Sequence, residues 1–205
     1  LSTSRSELDQ VLTLNSRDPV ALYLMSWLAF DLGRFDESLR LQSASLSIDP
    51  LNPDAHQNGG IIDYLLCNLD AAERALRASV DISPTFGGNH WYLGLILLQR
   101  GQLQAALREM QAEAGESRDT GLAMAFHALG RRTESDAALA RAIRAAADSA
   151  ACNIAIVYAY RGEHDQAFKW LERSVALHDL ALGHKFRNEP LLAPLRSDPR
   201  YKALL

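Results

Sequence analysis

Thr85-Phe86-Gly87-Gly88-Asn89-His90-Trp91-Tyr92-Leu93-Gly94-Leu95-Ile96-Leu97-Leu98-Gln99-Arg100-Gly101-Gln102-Leu103-Gln104-Ala105-Ala106-Leu107-Arg108-Glu109-Met110-Gln111-Ala112-Glu113 is the stretch that decides the fold. It reads as two helix-length segments, near 88–100 and 103–114, broken at Gly101. Neither helix could bury its apolar face alone, so the unit needs copies of itself to stack on.

The copies are present. Pro19 to Pro53 is one period of 34, and Asp49-Pro50 recurs as Ser83-Pro84. Asp70-Ala71-Ala72 falls under Asp36-Glu37-Ser38. Gly33, Cys67 and Gly101 mark three inner turns at a spacing of 34. Gly130 and Gly162 mark two more after the spacing slips. Helices are expected near 19–32, 35–48, 53–66, 69–82, 120–129, 133–146, 149–161 and 164–177. Small residues recur where paired helices must approach to about 8–10 Å. They are Ser26, Gly60, Gly94, Ala123 and Ala155 in the first helices, and Ser38, Ala72, Ala106, Ser135 and Ala167 in the second.

Trp91-Tyr92-Leu93-Gly94, Gly101-Gln102-Leu103 and Ala105-Ala106-Leu107, at this period, resemble the tetratricopeptide repeat family. The resemblance covers roughly residues 18–179. It implies an all-α, right-handed superhelical solenoid of antiparallel helix pairs, with about five repeats plus terminal capping helices. The expected organisation is a partial repeat or capping helix at 1–17, then repeats at 18–51, 52–85, 86–114, 115–146 and 147–179, and a C-terminal capping segment at 180–205. Leu191, Leu192, Leu195, Tyr201, Leu204 and Leu205 are too apolar for a free tail and are expected to cover repeat five. The polar loop Gly115 to Gly121 shortens one period and is read as an altered joint that separates a front groove from a rear one.

The string Leu122 to Gly130, together with Pro190 to Tyr201, resembles the C-terminal repeat region of bacterial multidomain proteins. In those, a winged-helix or nucleotide-cyclase effector domain precedes the repeats. The chain starts at Leu1 without a methionine and is read as a fragment or processed product.

The 205 residues are 48% apolar and 22% charged, with a net charge of −4 and no apolar run long enough to span a bilayer. A nucleic-acid-binding face would be basic, and none is evident. No membrane association is expected, and a cytoplasmic location is inferred. Cys67 and Cys152 lie in different repeats, so no disulfide is expected between them. The six histidines show no metal-ligand spacing on one helix. No nucleophile motif frames the serines. The chain is therefore read as non-enzymatic, without cofactor or metal. Gly87-Gly88-Asn89-His90 hints at an anion site at a helix N-terminus, although the plainer reading is a flexible entry into the helix. Asp63 stands in an apolar slot and needs a local hydrogen bond.

The family resemblance implies a concave groove lined by the first helices. Its expected lining is Tyr23, Trp27, Phe30, Asp31, Gln57, Asn58, Ile61, Tyr64, Trp91, Tyr92, Leu95 and Gln99, for a peptide or protein segment. The carboxylate-clamp slots of the family hold Tyr23, Trp27, Asn58, Gly88 and Tyr92 here, and only Asn58 matches. A chaperone-tail adaptor is thereby disfavoured. Two functions remain open: a protein-interaction scaffold, or a sensor module that acts on an upstream effector through ligand binding or homo-oligomerisation.

Overall fold

A computed structural model describes residues 13, 15–146, 149–177 and 187–204. The expected N-terminal helix within 1–17 and the segment 180–186 lie almost wholly outside these residues. Among the described residues every regular element is helical, and consecutive helix pairs pack as in a helical solenoid.

The chain forms two compact units, Leu1–Phe86 and Gly87–Leu205. In the first unit α1 (Pro19–Asp31) pairs with α2 (Phe35–Ile48), and α3 (Pro53–Leu65) pairs with α4 (Leu69–Ile82). Helix α3 also packs on α1 and α2. In the second unit the pairs are α5 (Asn89–Gln99) with α6 (Leu103–Ala112), α7 (Arg118–Ala128) with α8 (Arg132–Ala146), and α9 (Ala151–Tyr160) with α10 (His164–Ala176). A 3₁₀ turn, Pro190–Leu195, packs on α9, and α11 (Pro199–Leu204) packs on α10. The compact units divide at Phe86, one repeat before the expected joint. The joint itself lies inside the second unit, where α7 packs on both α5 and α6.

Each repeat starts and stops for local reasons. Pro19 and Pro53 occupy the first helical positions, where the missing N–H costs nothing. Asp18 accepts the Ala21 N–H at 2.8 Å, and Asn52, one period later, accepts the Ala55 N–H at 3.0 Å. Such caps contribute about 1 kcal/mol each. The first helices end in a common Schellman turn. The Arg34, Asn68, Gln102, Arg131 and Glu163 N–H groups reach back to the carbonyls of Ala29, Asp63, Leu97, Phe126 and Tyr158 at 2.8–2.9 Å. The motif needs a left-handed residue, supplied by Gly33, Gly101, Gly130 and Gly162 at φ +71° to +75°. In repeat two Cys67 adopts φ +61°, while its neighbour Asn68 stays at φ −83°. The strain therefore sits on the cysteine rather than on the asparagine. Asp63 bonds locally, accepting from the Asn68 amide at 3.2 Å.

The small-residue slots are closed contacts. Ser26, Ala72, Ala106, Ala123, Ala155, Ser38, Ser135 and Ala167 are fully buried, and Gly60 and Gly94 are buried with them. Serine hydroxyls tie paired helices together. Ser45 donates to the Pro19 carbonyl at 2.7 Å and Ser79 to the Pro53 carbonyl at 2.9 Å, one period apart. Ser135 donates to the Ala123 carbonyl at 2.6 Å. Gln42, in α2, is buried, accepts from Ser26 at 3.0 Å and donates to the Ala55 carbonyl. It links the two repeats of the first unit. On the exposed sides of second helices, pairs such as Arg77–Glu73 at 2.7 Å are solvated.

Candidate functional site

The first helix α1 has no amphipathic division. Its sequence is apolar almost all round, so some apolar side chains must stay at the surface. Val20 and Leu24 are 45% and 39% exposed, and Tyr23 and Trp27 are half-buried. Residues 20, 23, 24 and 27 stand at i, i+3, i+4 and i+7, which places them on one face. The Trp27 ring meets Phe30 edge-on at 6.0 Å, and Phe30 meets Phe35 at 5.4 Å, which fixes the indole from below.

Helix α3 provides Asp54, Gln57 and Asn58 at its N-terminal end. Asp54 is exposed, and the two amides are half-buried. Burial raises the Tyr23 pKa, and the Asp54 charge raises it further. Asp31 closes the other end of the α1 face. It is exposed at the surface, yet burial of its carboxyl raises its pKa.

The remaining groove candidates have a different place. Phe30, Tyr64, Trp91, Tyr92 and Leu95 are at most 5% exposed and Ile61 is 8% exposed, so these side chains are core. This corrects the expectation that they line an open surface. The cause is legible in α5, where every residue from Trp91 to Leu98 is buried and no polar face remains. Gln99 alone of the repeat-three candidates is exposed.

The Gly87–His90 entry is already filled from within the chain. The Glu113 carboxylate, 2% exposed, accepts the Gly88 N–H at 3.0 and 3.1 Å, the Trp91 N–H at 3.0 Å and the Gly115 N–H at 2.8 Å. Repeat three has Phe86 where repeats one and two have Asp18 and Asn52, so α5 lacks a capping side chain of its own. Glu113 sits one period after Ser79 and makes good that loss. The anion at this helix N-terminus belongs to the fold.

A cleft of about 290 Å³ lies between His127, Gly130, Arg132, Arg161 and Glu163 in the second unit. Its cations are engaged. Arg161 is held by Asp136 and by Glu163 at 2.7 Å, and Arg132 approaches Asp136 at 3.9 Å. Asp136 thus faces both arginines, Arg161 through Oδ1 and Arg132 through Oδ2. The His127 imidazole has a lowered pKa, first from burial and then from Arg161. No group of histidine, cysteine or carboxylate side chains among the described residues could hold a metal ion. No helix among them is long and apolar enough to cross a membrane. Neither Cys67, which is exposed, nor Cys152, which is buried, is in a disulfide.

Residues 149–188 match the tetratricopeptide repeat family. No curated protein matches the chain by sequence. Solved structures share its fold at low identity. TTC0263, a tetratricopeptide repeat protein of Thermus thermophilus, superposes with a TM-score of 0.63 at 17% identity, over 85% of this chain and 99% of its own. YrrB, described as a tetratricopeptide repeat protein with an unusual peptide-binding site, gives 0.57 at 17% identity, over 86% and 95%. Yeast Tom70 gives 0.58 at 18% identity, over 96% of this chain and 45% of its own. The tetratricopeptide repeat match is thus confined to residues 149–188, and the chain shares with these proteins the fold of a helical solenoid.

Proposed function

We propose that the chain is a non-enzymatic scaffold that holds a peptide or protein segment against the first helices of its N-terminal unit. The observation that carries this reading is the α1 face. Val20, Tyr23, Leu24 and Trp27 form one accessible apolar stripe, beside the amides Gln57 and Asn58 on α3. The stripe offers apolar area, and the amides can hydrogen-bond a segment's backbone. Tyr and Trp are the side chains whose truncation most often costs about 2 kcal/mol or more of binding energy.

The test is a random peptide display selection on the full chain, followed by affinity measurement on Trp27→Ala. Selected peptides should bind the variant roughly 30-fold more weakly, given about 1.4 kcal/mol per factor of ten. Its melting temperature should stay within a few degrees of the parent. Selected peptides that bind the variant at full affinity would exclude this surface.

A further inference from the structure

We infer that the segment bound by this surface is basic: an apolar stretch flanked by lysine or arginine. This rests on the scaffold reading above and names the chemistry of its partner. The two first helices of the N-terminal unit, PVALYLMSWLAFD and PDAHQNGGIIDYL, contain no lysine or arginine at all. Their ionised groups are carboxylates. Asp63 turns to Asn68 at the inner turn, which leaves Asp31 at the C-terminal end of the apolar stripe and Asp54 in the first turn of α3, the helix that packs on α1. Neither makes a hydrogen bond or ion pair with any described residue. The one histidine on these helices, His56, is engaged with the Pro50 carbonyl at 2.9 Å.

Asp31 stands in the last turn of α1, where the helix dipole is negative and a carboxylate is unfavourable. The last turn carries no basic residue to offset it. Partial desolvation adds to that cost. A cation supplied from outside would relieve both. Tyr23 and Trp27 are half-buried on the same stripe, and aromatic rings of this kind attract a guanidinium or ammonium group as well as apolar carbon. An acidic segment would meet two carboxylates and a helix C-terminus, and is rejected.

Two fluorescein-labelled synthetic helical peptides test the charge directly, one built of leucine, alanine and lysine, the other with every lysine replaced by glutamate. Anisotropy titration on the full chain should show the lysine peptide binding at least tenfold tighter. The Asp31→Asn/Asp54→Asn double variant should bring the ratio close to one. Asp81→Asn, an exposed carboxylate on α4, should leave it unchanged, which separates local recognition from net charge. Trp27→Ala should weaken the lysine peptide roughly 30-fold. A glutamate peptide that binds as well, or a ratio that survives the double variant, would overturn the inference. If both peptides bind equally and depend on Trp27, the scaffold reading stands and only the basic partner falls. If neither binds, and display-selected peptides ignore Trp27, both readings fall.

Discussion

The Glu113 carboxylate accepts the backbone N–H of Trp91 at 3.0 Å, joining residues 22 apart across the third helix pair. The same carboxylate takes the Gly88 and Gly115 N–H groups and is almost fully buried. Hydrogen bonds to a charged group contribute about 1.5–3 kcal/mol, and a buried donor left unmet costs about 1–3 kcal/mol. Glu113→Ala is expected to destabilise the chain by about 3 kcal/mol in urea denaturation. Glu113→Gln, which keeps the shape and one acceptor, should lose less. Equal stability of Glu113→Ala and the parent would show that water replaces the carboxylate without cost.

The inner turns allow a paired test at one structural slot. A non-glycine residue in the left-handed region costs about 1–2 kcal/mol, and Cys67 bears that strain at φ +61°. Cys67→Gly should raise stability by about 1 kcal/mol. Gly101→Ala should lower it by a similar amount, although open space surrounds the site, because φ is +71° there. Melting curves of the two variants shifting in the same direction would refute the shared-turn account.

A methyl group on Gly60 would stand 2.7 Å from Leu76 Cγ and 3.2 Å from the Ala72 carbonyl oxygen. The second neighbour is backbone and cannot step aside. Overpacking of this kind costs about 1–3 kcal/mol. At Gly94 the obstructing atoms belong to Met110, a flexible side chain. Gly60→Ala should therefore melt at a lower temperature than Gly94→Ala, and the reverse order would contradict the packing argument.

Leu192 and Leu195 are buried in the 3₁₀ turn that packs on α9, and Tyr201 is buried in α11. Arg200 lies over the Phe168 ring at 4.0 Å and bonds Asp165 at 2.9 Å, which fastens α11 to α10. Leu192→Ala should cost about 2–5 kcal/mol. An unchanged denaturation midpoint would show that this segment does not close the core.

The His127 pKa lies below its ordinary value, with burial the largest cause. Arg161 and Arg132 lower it, while Glu163 and Asp136 act the other way. The unfolded chain then binds the proton more readily than the folded one, so stability rises with pH through this window and falls as pH drops below the unfolded pKa of about 6.5. His127→Gln removes that linkage. Its melting temperature relative to the parent should improve as pH falls from about 7.5 to 5.5 across that pKa. A relative melting temperature that is flat with pH, or an NMR titration placing His127 above about 6.5, would reverse the sign.

The groove expectation failed in part for a physical reason that α5 makes plain. Slot position along a helix identifies a face, but whether that face is open depends on what else is apolar. Trp91, Tyr92 and Leu95 occupy lining slots, yet a helix apolar all round has no face left for solvent. Tyr23 and Trp27 stay accessible, half-buried on the stripe that Val20 and Leu24 expose. Glu113 gave no warning either. A glutamate near a helix end reads as solvated until its distance to the Gly88 N–H is known.

The sequence by itself determined the helix pairs, their boundaries to within about two residues, and the inner turns, because proline, glycine and small-residue spacing act over a few residues of backbone. Tertiary structure alone decided which aromatics are core, where the chain divides into compact units, and how the uncapped α5 is closed. Burial and long-range hydrogen bonds depend on which surfaces meet, and residues 22 or more apart in the chain meet only once the helices have packed.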